Sequence, residues 1–114
     1  MTYDKVYELA KQIKETPEYK AYSQSRDKAT ENETNATLLK EYKKLSMEGQ
    51  AYMLTGRQLP QELTEKLQKL SSLLTLSPEV SSFLVAEYSF NKLMGDVYKI
   101  LSDEVGIDLS FLKD

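Results

Sequence analysis

SPEVSSFLVAEYSFNKLMGDVYKILSDEVG, residues 77–106, decides the fold. Ser77-Pro78-Glu79 offers a cap, a proline at the first helical position and an acid in the first turn, and Gly106 offers a stop. The spacing between them predicts one uninterrupted helix over about residues 78–105. On a wheel of about 100° per residue its apolar and aromatic side chains fill an arc of roughly 240°, whereas a helix resting on one core needs little more than about 100°. The surplus must be covered by the chain's other helices, by a second copy, or by a different protein. Glu87 and Asn91 fall near the middle of that arc, one turn apart. An unpaired buried carboxylate is costly, so Glu87 calls for a Lys, Arg or Tyr from another helix or subunit. Three roles compete for it: a polar network that fixes how helices meet, a contact point for a partner protein, and a catalytic or metal carboxylate. The last needs a second convergent acid, and Asp96, Asp103 and Glu104 sit elsewhere on the wheel.

Upstream, the same punctuation sets out four more helices. The first covers about residues 3–15 behind Thr2 as cap, with Tyr3, Val6, Ala10 and Ile13 on one stripe. Thr16-Pro17-Glu18 repeats the cap, proline and acid signal and opens a second helix to about residue 29. That helix is polar, with Tyr19, Tyr22 and Ala29 on its better face, and is expected at the margin of the core. Asn32 or Thr34 caps a longer third helix, about residues 35–54, whose inward stripe is Leu38, Tyr42, Leu45, Tyr52 and Met53. Gly49 lies in line with that stripe, which suggests either a close helix crossing or a tolerated weak spot. Gly56 stops this helix. A fourth helix, about residues 60–75, carries Leu63, Leu67, Leu70 and Leu74 as a narrow seam suited to one long partner helix. Beyond Gly106, residues 107–112 alternate apolar and polar and are expected to fold back onto the bundle or onto a neighbour. The fold class is therefore all-α: one domain over residues 1–114, a five-helix bundle with two long helices, elongated and dimeric.

The chain has neither cysteine nor histidine. That removes disulfides, thiolate nucleophiles, Ser-His-Asp triads, zinc fingers and cysteine-held iron–sulfur clusters contributed by its own residues. No uninterrupted apolar run exceeds four residues, as at 83–86, so neither membrane spanning nor a leader is indicated. The triplets Asn32-Glu33-Thr34 and Asn35-Ala36-Thr37 match a glycosylation pattern that arises by chance in polar stretches. Net charge is −3, and the lysines are interleaved with acids, as in Lys40-Glu41-Tyr42-Lys43-Lys44, which disfavours phosphate binding. Pairs such as Glu62 with Lys66 and Glu65 with Lys69 suit a solvated helix face.

The succession Pro17-Glu18-Tyr19-Lys20-Ala21-Tyr22, then Leu39-Lys40-Glu41-Tyr42-Lys43-Lys44-Leu45, then Phe83-Leu84-Val85-Ala86-Glu87-Tyr88, Phe90-Asn91-Lys92-Leu93-Met94 and Gly106-Ile107-Asp108-Leu109 resembles the bacterial YlbF/YmcA family along nearly the whole chain. The resemblance implies a small all-α cytoplasmic protein, commonly dimeric or hetero-oligomeric, acting as a regulatory adaptor and not as an enzyme. Relatives act with partner proteins in competence, sporulation and biofilm control and are connected to messenger RNA processing. Some relatives hold an iron–sulfur cluster through cysteines that this chain lacks, so a redox role does not carry over.

These readings converge on Phe83, Glu87, Phe90, Asn91, Met94, Val97, Tyr98 and Leu101 as the partner-binding or oligomer interface. No catalytic residue, metal or cofactor is expected. The expected partners are a second copy or a related helical protein together with another protein; nucleic acid, membrane and small-molecule ligands are not. A purely structural paralogue, or a carboxylate site at Glu87, stands as the alternative.

Overall fold

The computed structural model describes residues 1–106. Five helices account for them: α1 (Asp4–Lys14), α2 (Pro17–Thr30), α3 (Glu33–Leu54), α4 (Gln61–Leu74) and α5 (Pro78–Val105), with no strand among the described residues. The tail at 107–112, expected to fold back, lies outside them.

Three helix starts follow their caps closely. Thr16 Oγ1 accepts from the Tyr19 N–H at 3.2 Å, Asn32 Oδ1 from Asn35 at 3.0 Å and Ser77 Oγ from Val80 at 3.4 Å. Each side chain satisfies one of the donors that a helix start leaves without a partner. The first helix departs from expectation, since its cap is Tyr3 without a side-chain hydrogen bond, and not Thr2. At the end of α3, Gly56 takes φ +71° while its N–H bonds the Met53 carbonyl at 3.1 Å and the Arg57 N–H bonds Tyr52 at 2.9 Å. This pair of bonds is a Schellman stop, which the absence of a Cβ at Gly56 permits.

The core joins Ala29, Leu39, Leu74, Val80 and Phe83, with Tyr22, Leu38, Tyr42 and Leu84 packed against it. Two helix pairs meet there: α2 on α5, the most extensive contact in the molecule, and α3 on α4. The leucine seam of α4 lies on α3 as expected, with Leu63 and Leu74 buried and Leu67 and Leu70 half-buried. The second helix, however, is central and not marginal. Its few inward groups suffice because two are tyrosines: the Tyr22 ring lies 4.8 Å from Phe90 and 5.7 Å from Phe83, and Ala29 lets the backbones approach.

Two expectations on α3 also change. Met53 is 69% exposed instead of lying on the inward stripe, and Leu39, near the other end of the helix, is buried without having been expected there. Gly49 is buried beneath side chains, not beneath a crossing backbone: a Cβ there would meet Leu59 Cδ2 at 3.5 Å and Leu67 Cδ1 at 4.0 Å, ordinary contact distances.

The result is a flat body, 45 × 36 × 19 Å, with a radius of gyration of 17.0 Å. A compact chain of this length would have a radius near 13 Å. Its accessible surface is 9107 Å², against about 6,400 Å² for a compact monomer of the same mass. The helices form a skeleton that leaves much of itself uncovered.

Candidate functional site

Along α5 one row of side chains recurs at alternating intervals of four and three: Phe83, Glu87, Phe90, Met94, Val97 and Leu101. That is the spacing of a helix-to-helix seam. Its first half is filled within the chain. Phe83 is in the core, and Phe90 lies between Tyr22, stacked at 4.8 Å, and Tyr19, edge-on at 5.5 Å. Both rings come from α2, which runs antiparallel to α5, Tyr19 meeting Phe90 while Ala29 shares the core with Val80.

Glu87 finds the partner its sequence position called for. Lys43 Nζ, from α3, donates to Glu87 Oε2 and also stands 5.4 Å from the centre of the Phe83 ring. The two side chains differ in setting: Glu87 is 18% exposed and Lys43 47%. Asn35 Nδ2 donates to Ser77 Oγ at 3.2 Å, so α3 and α5 start at the same end, and this ion pair links them again further along. Asn91, placed by the wheel beside Glu87, is exposed. Phe90 before it and Leu93 and Met94 beyond it are half-buried, so Asn91 lies on a side of α5 that neither α2 nor α3 covers.

Among the described residues, the second half of the seam has no such cover. Met94 and Val97 are half-buried, while Tyr98, Ile100, Leu101 and Val105 expose between 50% and 69% of their surface. Lengths explain it: α5 has 28 residues, about 42 Å, and α2 has 14, about 21 Å. Past Phe90 the chain of α2 has already turned into α1. The opposite face of distal α5 is polar and self-neutralising, with Lys92 paired to Asp96 at 3.7 Å and Lys99 to Asp103 at 3.2 Å. An apolar face about three turns long therefore stands beside a neutral polar one, an arrangement suited to a helical protein partner and not to phosphate.

Of the residues nominated from the sequence, the structure brings Met94, Val97, Tyr98 and Leu101 together on this face. It puts Phe83 in the core and occupies Phe90 with tyrosines. Sequence reasoning missed the exposed apolar groups elsewhere: Tyr3 and Val6 on α1, which it had placed on one stripe, Tyr7 beside them, and Met47 and Leu54 on α3. Only the failure of α1 to bury any residue reveals the first three. A shallow groove between α2 and α5, lined by Pro17, Ala21, Ser82, Val85, Ala86 and Ser89, runs along the other flank of the helix.

Among the described residues no group of three acids converges in a way that could hold a metal, and no helix is long and apolar enough to cross a membrane. Glu87 has a lysine partner.

A family model described as "Control of competence regulator ComK, YlbF/YmcA" matches residues 2–106. The chain is 35% identical over 111 residues to a UPF0342 protein of Symbiobacterium thermophilum, covering 97% of this chain and 99% of the relative. It is 37% identical over 109 residues to a UPF0342 protein of Clostridium tetani, covering 96% and 94%. A UPF0342 protein of Halothermothrix orenii is 32% identical over 107 residues, covering 92% and 91%.

Proposed function

The chain belongs to the YlbF/YmcA family, and from that premise we propose that it is a non-enzymatic, cytoplasmic regulatory adaptor that self-associates through distal α5 and binds a protein partner. One observation carries this reading: the seam that α2 fills over the first half of α5 continues, unfilled, over the second. An exposed apolar face of this length on a monomer marks an interaction site. The relation to competence control rests on the family description alone, and the partner is another protein, since the lysines near the face are neutralised by carboxylates one turn away.

The absence of cysteine favours a paralogue that keeps the helical skeleton and the helix-to-helix surface without a cluster. A carboxylate enzyme at Glu87 is the weaker alternative, because Lys43 already engages the carboxylate. Light scattering on the purified chain tests self-association, and a pull-down from the native host with wild type and Leu101→Asp side by side tests the partner. A partner retained by wild type and lost by the variant supports the adaptor reading. Retention by both directs the search to another face.

A further inference from the structure

Two helices share a defect: each carries an apolar stripe that the described residues of the chain leave exposed. On α1 the stripe includes Tyr3, Val6 and Tyr7, half to three-quarters exposed, and the helix buries no residue at all. On α5 it is the distal face just described. Their lengths match, 11 residues or about 16 Å for α1 and about 18 Å for residues 94–105.

The distal half of α5 is apolar beyond the seam itself, with Leu93 and Ile100 on one flank and Tyr98 and Val105 on the other. A two-stranded coiled coil keeps such flanks charged, whereas apolar flanks belong to a helix with neighbours on both sides. A second α5 covers one side only, so another helix is needed.

Charge supports α1 as that helix. Over Asp4–Lys14 three lysines outnumber two acids, a net of +1, while over residues 92–105 three acids outnumber two lysines, a net of −1. Glu104 continues the seam three residues past Leu101, and Lys14 follows Ile13 at the end of the α1 stripe. Within one chain α1 makes its main contact with α2 and not with α5. Only Glu15-Thr16 separates it from α2, and Thr16 is fixed at φ −74° and ψ 150° by its cap bond and by Pro17.

The geometry points to reciprocal arm exchange between two copies of this chain: α1 of each copy docks on the distal half of its partner's α5, beside the contact of the two α5 helices across a twofold axis. This rests on the self-association proposed above and names what that association buries. The surface available is adequate, since the chain exposes roughly 2,700 Å² more than a compact monomer, and obligate dimers cover about 1,000–2,500 Å² per chain.

The cysteine-free chain permits a clean test. Two differently tagged full-length populations, Val6→Cys and Leu101→Cys, are mixed, oxidised and separated without reductant, with Lys92→Cys replacing Leu101→Cys as the control on the polar face. Arm exchange predicts a covalent heterodimer forming about tenfold faster than with the control, because docking raises the effective concentration of the two thiols. Val6→Asp, on a helix that buries nothing, should raise the dimer dissociation constant about tenfold or more with helicity intact. A wild-type dimer that gives no heterodimer above the control overturns arm exchange and leaves self-association standing. A monomeric wild type overturns both. Closure of Val6→Cys/Leu101→Cys within a single chain also overturns the proposal, showing α1 on its own α5.

Discussion

Removing either member of the Lys43–Glu87 pair should have opposite effects on stability, although the two side chains touch only once. In Lys43→Met the volume is kept, but a carboxylate only 18% exposed loses its partner and the Phe83 ring loses its cation. Leaving such a group unpaired costs about 1–3 kcal/mol and the ring contact about 0.5 kcal/mol, so a destabilisation near 2 kcal/mol is expected. For a chain of this size that lowers Tm by about 8 °C. In Glu87→Leu the lysine left behind is half-exposed and returns to water, while a leucine fills the seam between Phe83 and Phe90. Burying it contributes about 1.5–3 kcal/mol, against about 1 kcal/mol for the lost partly exposed pair and some packing loss. The variant should lie between neutral and about 1 kcal/mol more stable than wild type. Urea unfolding followed by circular dichroism on both single variants and the double variant measures the asymmetry directly. If Glu87→Leu lost more than about 1 kcal/mol while Lys43→Met were harmless, Glu87 would not be a half-buried anion that depends on Lys43. Light scattering on the same samples separates the roles first considered for Glu87: a register device within the chain leaves the mass unchanged, and an interface contact alters it.

Gly49→Ala should stabilise the chain by about 0.5–1 kcal/mol, since the helix gains propensity and the new Cβ meets Leu59 at 3.5 Å. Gly56→Ala should destabilise it by about 1–2 kcal/mol, because its open surroundings do not relieve a φ of +71°; opposite signs in the two melting curves check the pair. Leu74→Ala removes a fully buried side chain at the junction of the helix pairs and should cost about 2–5 kcal/mol by urea denaturation.

Helix ends were legible in the sequence because their causes are local. Thr16-Pro17, Asn32, Ser77-Pro78, Gly56 and Gly106 each act within one turn, and all five helices follow from them to within a residue or two, though Thr2 yields to Tyr3 as the first cap. What α2 does was not legible. With so few apolar side chains it read as marginal, yet Tyr19 and Tyr22 both reach Phe90, a pairing set by tertiary position. Glu87 shows the same division. The need for a cationic or phenolic partner follows from burial alone, but the choice of Lys43 depends on α3 and α5 starting together at Asn35 and Ser77. Asn91 was misplaced because an apolar arc on a wheel does not say which of its sides the neighbouring helices cover: Leu93 and Met94, further along, are half-buried and Asn91 is not. The excess apolar arc was visible from the start. Its location in the distal half became clear only when α2, whose length was legible, proved to lie on the first half of α5 with Tyr19 against Phe90.

The mass of the chain in solution is the most direct measurement of the central idea, that distal α5 is covered by another polypeptide. Sedimentation equilibrium at tens of micromolar should give wild type about twice the 13.1 kDa of one chain. Leu101→Asp, at a half-exposed position that leaves the core intact, should sediment as one chain with an unchanged circular dichroism spectrum. A well-folded wild type that stays at 13.1 kDa across that range would contradict self-association through α5.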